Sequence, residues 1–264
     1  MEFSSYEHGQ PSWVDLGSPD VAASGTFYAE LFGWRIEEGP PETGGYCNCT
    51  LGGRRVAGLG PQQAPGPSYW SHYVNVDDAA AIVAKVRELG GQVLVEPMPV
   101  LDLGTMAVCA DSIGAVFGVW QPGTHTGAEV ANESGTWCWS ELLSTDLDAS
   151  KAFYSALFGW VPEDQAAAPA GAEGAPMQYT EWKLNGRAIG GMMAMPPMMP
   201  AGVPPHWGIY FAVDDTDATV AKVAELGGAV MMPPMDIQPG RFAVVADTAG
   251  ATFNVIALNQ DLGS

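Results

Sequence analysis

Two acidic residues, each two positions after a tryptophan, are the side chains in this chain best suited to chemistry. Asp15 follows Trp13, and Glu141 follows Trp139, 126 residues further along. Residues two apart on a β-strand share a face, so each acid is expected to lie beside an indole. A carboxyl group held there away from water has a raised pKa and suits general acid or base catalysis, or it is a structural hydrogen-bond acceptor.

A duplication positions these pairs. The sequence Phe-Tyr-x-x-Leu-Phe-Gly-Trp occurs at residues 27–34 and again at 153–160, and Val-Asp-Asp occurs at 76–78 and 213–215. The offset grows from 126 to 137, as expected when insertions fall in loops between matched structural blocks. The sequence therefore predicts a first domain at residues 1–122, a linker at 123–134 and a second domain at 135–264.

Each half has the same order of elements. A strand at residues 13–16 precedes a helix at 21–32 ended by Gly33, with strand patterns following, and a strand at 69–76 precedes a second helix ended by Gly90. The pattern predicts four βαβββ units in an α+β fold. In the second half, residues 162–176 are predicted to be a loop. Residues 192–205 hold five Met and five Pro, a composition that suits either a loop capping the core or the lining of an apolar binding site.

Composition excludes several partners. The formal net charge of -20 would repel phosphates and anionic lipid, so neither nucleic acid nor a membrane is expected as a partner. No apolar run reaches the roughly 18 residues of a spanning helix, and the opening residues do not resemble a signal peptide. The four cysteines form no CxxC pair and are interpreted as buried thiols. We expect a cytoplasmic monomer or homodimer.

Taken together, these motifs resemble a known superfamily. The Phe-Tyr-x-x-Leu-Phe-Gly-Trp segment, the Val-Asp-Asp helix and the later Asp-x-x-Gly-Ala-x-Phe turn are similar to those of the glyoxalase, bleomycin-resistance and extradiol-dioxygenase proteins, also called vicinal oxygen chelate proteins. The resemblance covers both halves. It implies that the βαβββ units pair into two half-open mixed-sheet barrels with helices outside. The sequence leaves open whether units pair within a half or between halves.

The resemblance also implies where a metal would bind. Active members of the superfamily hold a divalent ion with His, Gln or Glu from the opening strand of each unit and from the last strand. The corresponding positions in this chain are Trp13, Ser71 and Gly118 in the first half and Trp139, Gly208 and Asn254 in the second. A transition metal needs at least three converging donors, which these side chains do not provide. We therefore expect neither a metal nor another cofactor.

Strand alternation selects most of the residues that face each barrel, whereas Met193 is taken from the methionine-rich segment 192–205 and Arg241 from its place before an apolar strand. The candidate catalytic residues are Asp15, Glu141 and His206. The candidate ligand-binding residues are Trp13, Tyr73, Asn75, Trp120, Trp139, Tyr210, Arg241, Asn254 and Met193. For each Trp the alternative is ordinary core packing, and for Arg241 the alternative to binding an anionic or carbonyl oxygen is a charge cap on the acidic surface.

Three functions remain open from the sequence. The first is a protein that binds a hydrophobic or aromatic small molecule for sequestration, resistance or delivery in secondary metabolism. The second is a metal-independent isomerase, lyase or oxygenase-like tailoring enzyme on the same fold. The third is detoxification of methylglyoxal. Loss of the usual metal ligands favours the first, whereas buried acids with raised pKa values would favour the second.

Overall fold

A computed structural model describes residues 1–62, 66–168, 177–197, 199 and 202–259. The strands of the first half are β1 Pro11–Ser18, β2 Arg35–Glu38, β3 Cys47–Leu51, β4 Arg54–Pro61, β5 Tyr69–Asn75, β6 Gln92–Val100, β7 Gly104–Ala110 and β8 Val116–Pro122. Those of the second half are β9 Trp137–Ser144, β10 Val161–Ala168, β11 Met177–Leu184, β12 Arg187–Ala194, β13 His206–Ala212, β14 Ala229–Ile237, β15 Gly240–Ala246 and β16 Thr252–Leu258. The α-helices are α1 Val21–Phe32, α2 Ala79–Glu88, α3 Leu147–Phe158 and α4 Thr216–Glu225.

The strands form two eight-stranded mixed sheets, one from each half of the chain. The orders are β2-β3-β4-β1-β5-β8-β7-β6 and β10-β11-β12-β9-β13-β16-β15-β14. In each sheet two βαβββ units meet at a central antiparallel pair, β1 with β5 and β9 with β13. The predicted α+β fold with four units in two half-open sheets is confirmed. The units pair within each half, which the sequence had left open.

Aspartates begin all four helices, because each supplies a carboxylate to the free N–H groups of the first turn. The capping residues are Asp20, Asp78, Asp146 and Asp215, and each accepts a hydrogen bond from the backbone N–H three residues on. Helices α1 and α3 end at Gly33 and Gly159, both in the left-handed region that glycine adopts at low cost.

The helix sides of the two sheets pack against each other. One buried cluster joins Val14, Leu16 and the α1 aromatics to Phe211 and Phe253 of the second half. The other joins the second unit of the first half to the third unit of the chain. Each hydrophobic core is therefore shared between the halves, and the opposite, concave face of each sheet is left for other residues.

Reciprocal buried hydrogen bonds connect the halves. Tyr28 donates to Asp247 Oδ2 at 3.2 Å, and its duplicate Tyr154 donates to Asp111 Oδ2 at 3.0 Å. Trp34 Nε1 donates to the Gly135 carbonyl at 2.7 Å, and Trp160 Nε1 donates to the Gly9 carbonyl at 2.6 Å. All four donors belong to the repeated Phe-Tyr-x-x-Leu-Phe-Gly-Trp sequence, which therefore supplies matching contacts from each half to the other.

One local prediction from the sequence differs from the structure, and one edge strand has no clear signal in the sequence. Residues 161–168, assigned to a loop from position 162, form the edge strand β10, which pairs antiparallel with β11. The short edge strand β2 also pairs with β3, although its sequence carries no clear alternation. Residues 169–176 lie outside the described part of the chain. No helix among the described residues is long and apolar enough to span a membrane.

His72 lies in the shared core without a hydrogen bond to either ring nitrogen. Its ring centroid is 4.3 Å from that of Trp207. Burial lowers the pKa of His72 from 6.5 to about 3, because the charged ring would lose its hydration. The position in the second half that corresponds to His72 is Ile209.

We expect His72→Ile to reduce the acid sensitivity of folding. The unfolded chain binds a proton at His72 below pH 6.5 and the folded chain does not until about pH 3, so stability is lost as pH falls between these values. At pH 5 this amounts to about 2 kcal/mol. Urea unfolding at pH 5 and 7.5 should show a smaller loss in His72→Ile. His8→Gln, at an exposed position, is the control, and equal losses in His72→Ile and wild type would contradict the prediction.

Candidate functional site

A chain of hydrogen bonds occupies the concave face of the first sheet. Trp13 Nε1 donates to the Tyr46 hydroxyl at 2.9 Å, and that hydroxyl donates to Asp15 Oδ2 at 3.3 Å. The Tyr73 hydroxyl also hydrogen-bonds to Asp15. Trp13 and Asp15 share this face because Val14 and Leu16, which alternate with them along β1, lie in the helix-side core.

The second sheet carries the same arrangement. Trp139 Nε1 donates to the Tyr179 hydroxyl at 2.9 Å, Tyr210 donates to Glu141 Oε1 at 2.9 Å, and Tyr179 also hydrogen-bonds to Glu141. Each half thus has one carboxyl group held by two tyrosine hydroxyls, one of which is held by a tryptophan. We call these two sets the carboxyl networks.

Burial and hydrogen bonding act in opposite directions on the two acids. Burial raises the pKa of Asp15 to about 6, although the hydroxyls of Tyr73 and Tyr46 partly offset this by stabilising the carboxylate. Burial likewise raises the pKa of Glu141 against the two hydroxyls of its network. Both acids can therefore change protonation closer to neutral pH than an ordinary carboxyl group, which suits hydrogen bonding to a ligand or proton transfer.

Aromatic rings cover glycines on the concave faces. A Cβ at Gly58 would lie 1.8 Å from the Tyr46 hydroxyl, and one at Gly191 would lie 1.9 Å from the Tyr179 hydroxyl. A Cβ at Gly118 would lie 2.1 Å from the Tyr73 ring. The rings can reach the carboxyl groups because no side chain projects from the strand beneath them.

This packing bears on the metal site that the superfamily resemblance implies. The Tyr73 ring fills the space that a side chain at position 118 would need, and in the second half Asn254 donates its amide to the Ile209 carbonyl at 3.2 Å. In the described part of the chain no three His, Cys, Asp or Glu side chains are grouped as metal ligands. The residues at these positions do not fit a divalent ion.

The other candidates of the first half contact neighbouring chain segments. Asn75 is buried, and its amide donates to the carbonyls of Tyr6 and Glu7 at 3.0 and 3.2 Å. Trp120 Nε1 donates to the His125 carbonyl at 2.8 Å. The ring of His125 lies edge-on to Trp13 with centroids 4.5 Å apart. Sequence reasoning gave His125 no role, since it lies in the linker.

Four candidates of the second half share one face of the second sheet. Met193 pairs with Tyr179 across strands, and Asn254 pairs with Tyr210. His206 is half-buried at the end of β13, where its Nδ1 lies 2.9 Å from the Pro204 carbonyl oxygen. It stands two residue pairs away from Glu141 along β13 and β9, so it is not part of the carboxyl network.

Arg241 does not face the second concave surface. It alternates along β15 with Phe242, and it shares a face with Ala243 and Val245, which lie in the helix-side core. Its guanidinium forms ion pairs with Asp217 and Asp236. The prediction that it binds a ligand oxygen in the cavity is wrong because its strand parity is the opposite one. Phe242, 6.4 Å from Tyr210 between ring centroids, occupies the cavity side.

Sequence reasoning also missed Tyr46 and Tyr179, which link the tryptophans to the acids. Tyr46 lies directly before β3 and Tyr179 lies on β11, both far in sequence from β1 and β9. One signal could have found them, because they match each other at the offset of 133 that also relates Gly58 to Gly191.

The fold and these motifs define the class of protein. The profile of the Glyoxalase/Bleomycin resistance protein/Dioxygenase superfamily matches residues 10–119 and 139–255. The chain belongs to this superfamily, as a tandem form with two copies of its domain.

Two similar proteins cover almost the whole chain. "Putative glyoxylase CFP32" of Mycobacterium tuberculosis (strain CDC 1551 / Oshkosh) is 42% identical over 261 residues, with 96% of each chain covered. The anthracycline biosynthesis protein DnrV of Streptomyces peucetius is 39% identical over 268 residues, covering 96% of this chain and 94% of DnrV.

Among solved structures, the Mn(II)-bound glyoxalase of Novosphingobium aromaticivorans is similar in fold, with a TM-score of 0.64 at 16% identity. The similarity covers 95% of this chain and 82% of the glyoxalase. The 2,3-dioxygenase LapB of Pseudomonas sp. KL28 gives a TM-score of 0.65 at 10% identity, covering 96% and 93%. At these identities the likeness concerns the fold alone.

We expect Gly118→Ala to destabilise the protein, because its Cβ would overlap the Tyr73 ring. Overpacking of this kind costs about 2 kcal/mol. Gly208→Ala is the control in the other half, since its Cβ would lie 3.2 Å from the Asn254 amide, a contact that a shift of a few tenths of an ångström relieves. Urea unfolding should rank Gly118→Ala well below Gly208→Ala, and equal stabilities would show that the ring does not occupy this space.

We expect Asp15→Asn to change how stability depends on pH. Because the folded pKa of Asp15 is about 6 against an ordinary value of 3.8, the contribution of Asp15 to stability is fully present below pH 4 and is lost as pH rises through 6. Asparagine cannot ionise, so the variant should gain on the wild type by up to about 3 kcal/mol between pH 4 and 7. Asp102→Asn, at an exposed position, is the control. Parallel profiles for Asp15→Asn and the wild type would contradict the assignment.

Proposed function

We propose that the protein binds a hydrophobic, planar aromatic small molecule on a concave sheet face, without a metal ion, for sequestration, resistance or delivery in secondary metabolism. The observation that carries this proposal is the carboxyl network, present once in each half. It combines a tryptophan surface for stacking with a carboxyl group and two hydroxyls for orienting one polar edge of a ligand.

Exposed apolar side chains on the same faces support binding of an apolar ligand. Met98 is 48% exposed and pairs through Met106 with Trp120, and Met235 is 36% exposed and pairs with Phe242. Cross-strand partners share a face, so these methionines border the aromatic surfaces. Flexible thioether side chains adapt to ligands of irregular outline.

Charge restricts the ligand further. The chain carries 30 acidic and 10 basic residues. Such a field disfavours anions and tolerates neutral or cationic ligands. The four cysteines are free thiols, which suits a reducing cytoplasmic setting.

The relatives support the same class of ligand. DnrV is named as an anthracycline biosynthesis protein. Anthracyclines are planar polycyclic aromatics that carry phenol and quinone oxygens, and these are groups that a carboxyl–tyrosine network can hydrogen-bond.

A second candidate function rests on the raised pKa values of Asp15 and Glu141. A carboxyl group that has a raised pKa and lies beside two hydroxyls could move a proton between two sites of a bound ligand, as a metal-independent isomerase does. Turnover that Glu141→Gln abolishes, with binding retained, would favour this enzyme over a binding protein.

We expect 1,4-dihydroxyanthraquinone to bind with a dissociation constant on the order of 10 µM and to quench tryptophan fluorescence. Anthraquinone-2-sulfonate has the same ring system with an anionic group, and it should bind at least tenfold more weakly at low salt. Titrations by fluorescence and calorimetry measure both constants.

Methylglyoxal and added divalent ions are the contrasting ligands. Methylglyoxal should not bind, because it has no aromatic ring to stack on a tryptophan. Divalent ions should not bind, because the described residues offer no set of metal donors. Product formed from methylglyoxal, or a stoichiometric ion retained after gel filtration, would contradict the proposed function.

A further inference from the structure

The two concave faces differ in what covers them. On the first face, His125 and Ala128 of the linker contact the tryptophan that the proposed ligand would use. The His125 ring lies 4.5 Å from Trp13 and 5.6 Å from Trp120 between centroids, at angles of 85° and 74°. Ala128 packs against Trp13 and Tyr73. Trp13 is only 5% exposed as a result.

The linker is held on this face by specific hydrogen bonds. Ala128 N donates to the Ser12 carbonyl at 2.8 Å, and the Tyr6 hydroxyl donates to the Ala128 carbonyl at 2.7 Å. Gly127 N donates to His125 Nδ1 at 3.1 Å, which fixes the orientation of the imidazole. These contacts make the linker an ordered part of the first face.

Gly127 allows this close approach. Its φ of +119° lies in the region that favours glycine, and a Cβ there would lie 2.6 Å from the Ser12 carbonyl oxygen. A larger residue at position 127 would therefore push the linker away from β1.

Glu129 adds an ion pair between the linker and β4. Its carboxylate accepts from Arg55 Nη2 at 2.8 Å and from the Arg55 backbone N–H at 2.8 Å. Burial acts to raise the pKa of Glu129, but the hydrogen bonds from the backbone N–H and the guanidinium of Arg55 outweigh it, so this pKa lies below its ordinary value. The linker is thus anchored on both sides of Gly127.

The second face carries no equivalent cover among the described residues. Trp139 is half-buried, whereas its duplicate Trp13 is buried. Its Nε1 donates to the Tyr179 hydroxyl, but among the described residues no aromatic ring stacks on it or meets it edge-on as His125 meets Trp13. Cys138 is half-exposed, whereas Ser12 at the same position of the first half is fully buried. Within the described part of the chain, Trp139 is therefore more accessible than Trp13.

We propose that ligand binding is confined to the second concave face, and that residues 123–131 act as a built-in occupant of the first. This assignment rests on the proposed function. The ligand class is a planar polycyclic phenol or quinone. Its ring stacks on Trp139 between Phe242 and Met193, and one ring oxygen hydrogen-bonds to the network of Glu141, Tyr179 and Tyr210.

Calorimetry with 1,4-dihydroxyanthraquinone tests the assignment on the full chain. The wild type should bind one equivalent, and Trp139→Leu should weaken binding at least tenfold. Gly127→Val should lift the linker and raise the stoichiometry from one to two. His125→Ala, which removes only the edge-on ring, is the milder version and should add a weaker second equivalent. Circular dichroism and thermal unfolding establish that each variant is folded.

A second readout locates the ligand directly. Cys138 is partly exposed whereas the other three cysteines are buried, and its Sγ lies 3.5 Å from the Tyr210 carbonyl oxygen, so iodoacetamide should modify it first and report on this site. Burial raises the pKa of the Cys138 thiol to about 12, so the labelling is run at pH 9. Bound 1,4-dihydroxyanthraquinone should slow this modification, followed by mass spectrometry of the peptide.

The outcomes separate the two proposals. Two equivalents in the wild type, unchanged binding in Trp139→Leu, or no protection of Cys138 would overturn the confinement to the second face and leave the binding function standing. One equivalent in folded Gly127→Val and His125→Ala would overturn the role of the linker. No binding by any of these proteins would overturn the proposed function itself.

Discussion

The whole arrangement depends on one buried interaction, the hydrogen bond from a helix tyrosine of one half to a turn aspartate of the other. Asp111 and Asp247 each use Oδ1 to accept backbone N–H groups of their own turn, and each uses Oδ2 to accept the hydroxyl of Tyr154 or Tyr28. Because its two oxygens accept hydrogen bonds from different halves, each carboxylate fixes the last strand of one half against a helix of the other. Since Trp207 and Trp70 in turn donate to the same hydroxyls, breaking either contact leaves several buried polar atoms unpaired.

The helix sides of both sheets are buried in this contact. The side chains whose chemistry can differ between members of the superfamily therefore lie on the concave faces. Here the glycines at positions 58, 118 and 191 leave space above their strands, and tyrosine rings fill that space. The rings bring hydroxyls to Asp15 and Glu141, so the space of a metal ligand is used for an organic hydrogen-bond network. The superfamily fold therefore indicates the architecture without indicating the reaction.

Duplication produced two similar faces, and the connection between them made the faces unequal. The linker must leave β8 and reach β9, and its path brings His125 and Ala128 onto Trp13. In the first half the His125 ring of the linker therefore packs against the tryptophan, whereas among the described residues no ring packs in this way against Trp139. An identical local sequence signal, Trp-x-acid, thus has two different environments because only one copy lies beside the linker.

The sequence alone determined the duplication, the helix caps, the βαβββ order and the face of β1 that carries Trp13 and Asp15, because these follow from interactions within a few residues and from the twofold period of strands. The tertiary structure decided what depends on distant partners. Tyr28 meets Asp247 across 219 residues, Tyr46 reaches Asp15 from another strand, and His125 reaches Trp13 from the linker. Arg241 precedes an apolar strand whose sequence does not specify which face it occupies, and only the packing of Ala243 and Val245 in the core decides this. Strand pairing and the path of the chain bring these groups together, and no local sequence pattern specifies which distant segment will contact a given residue.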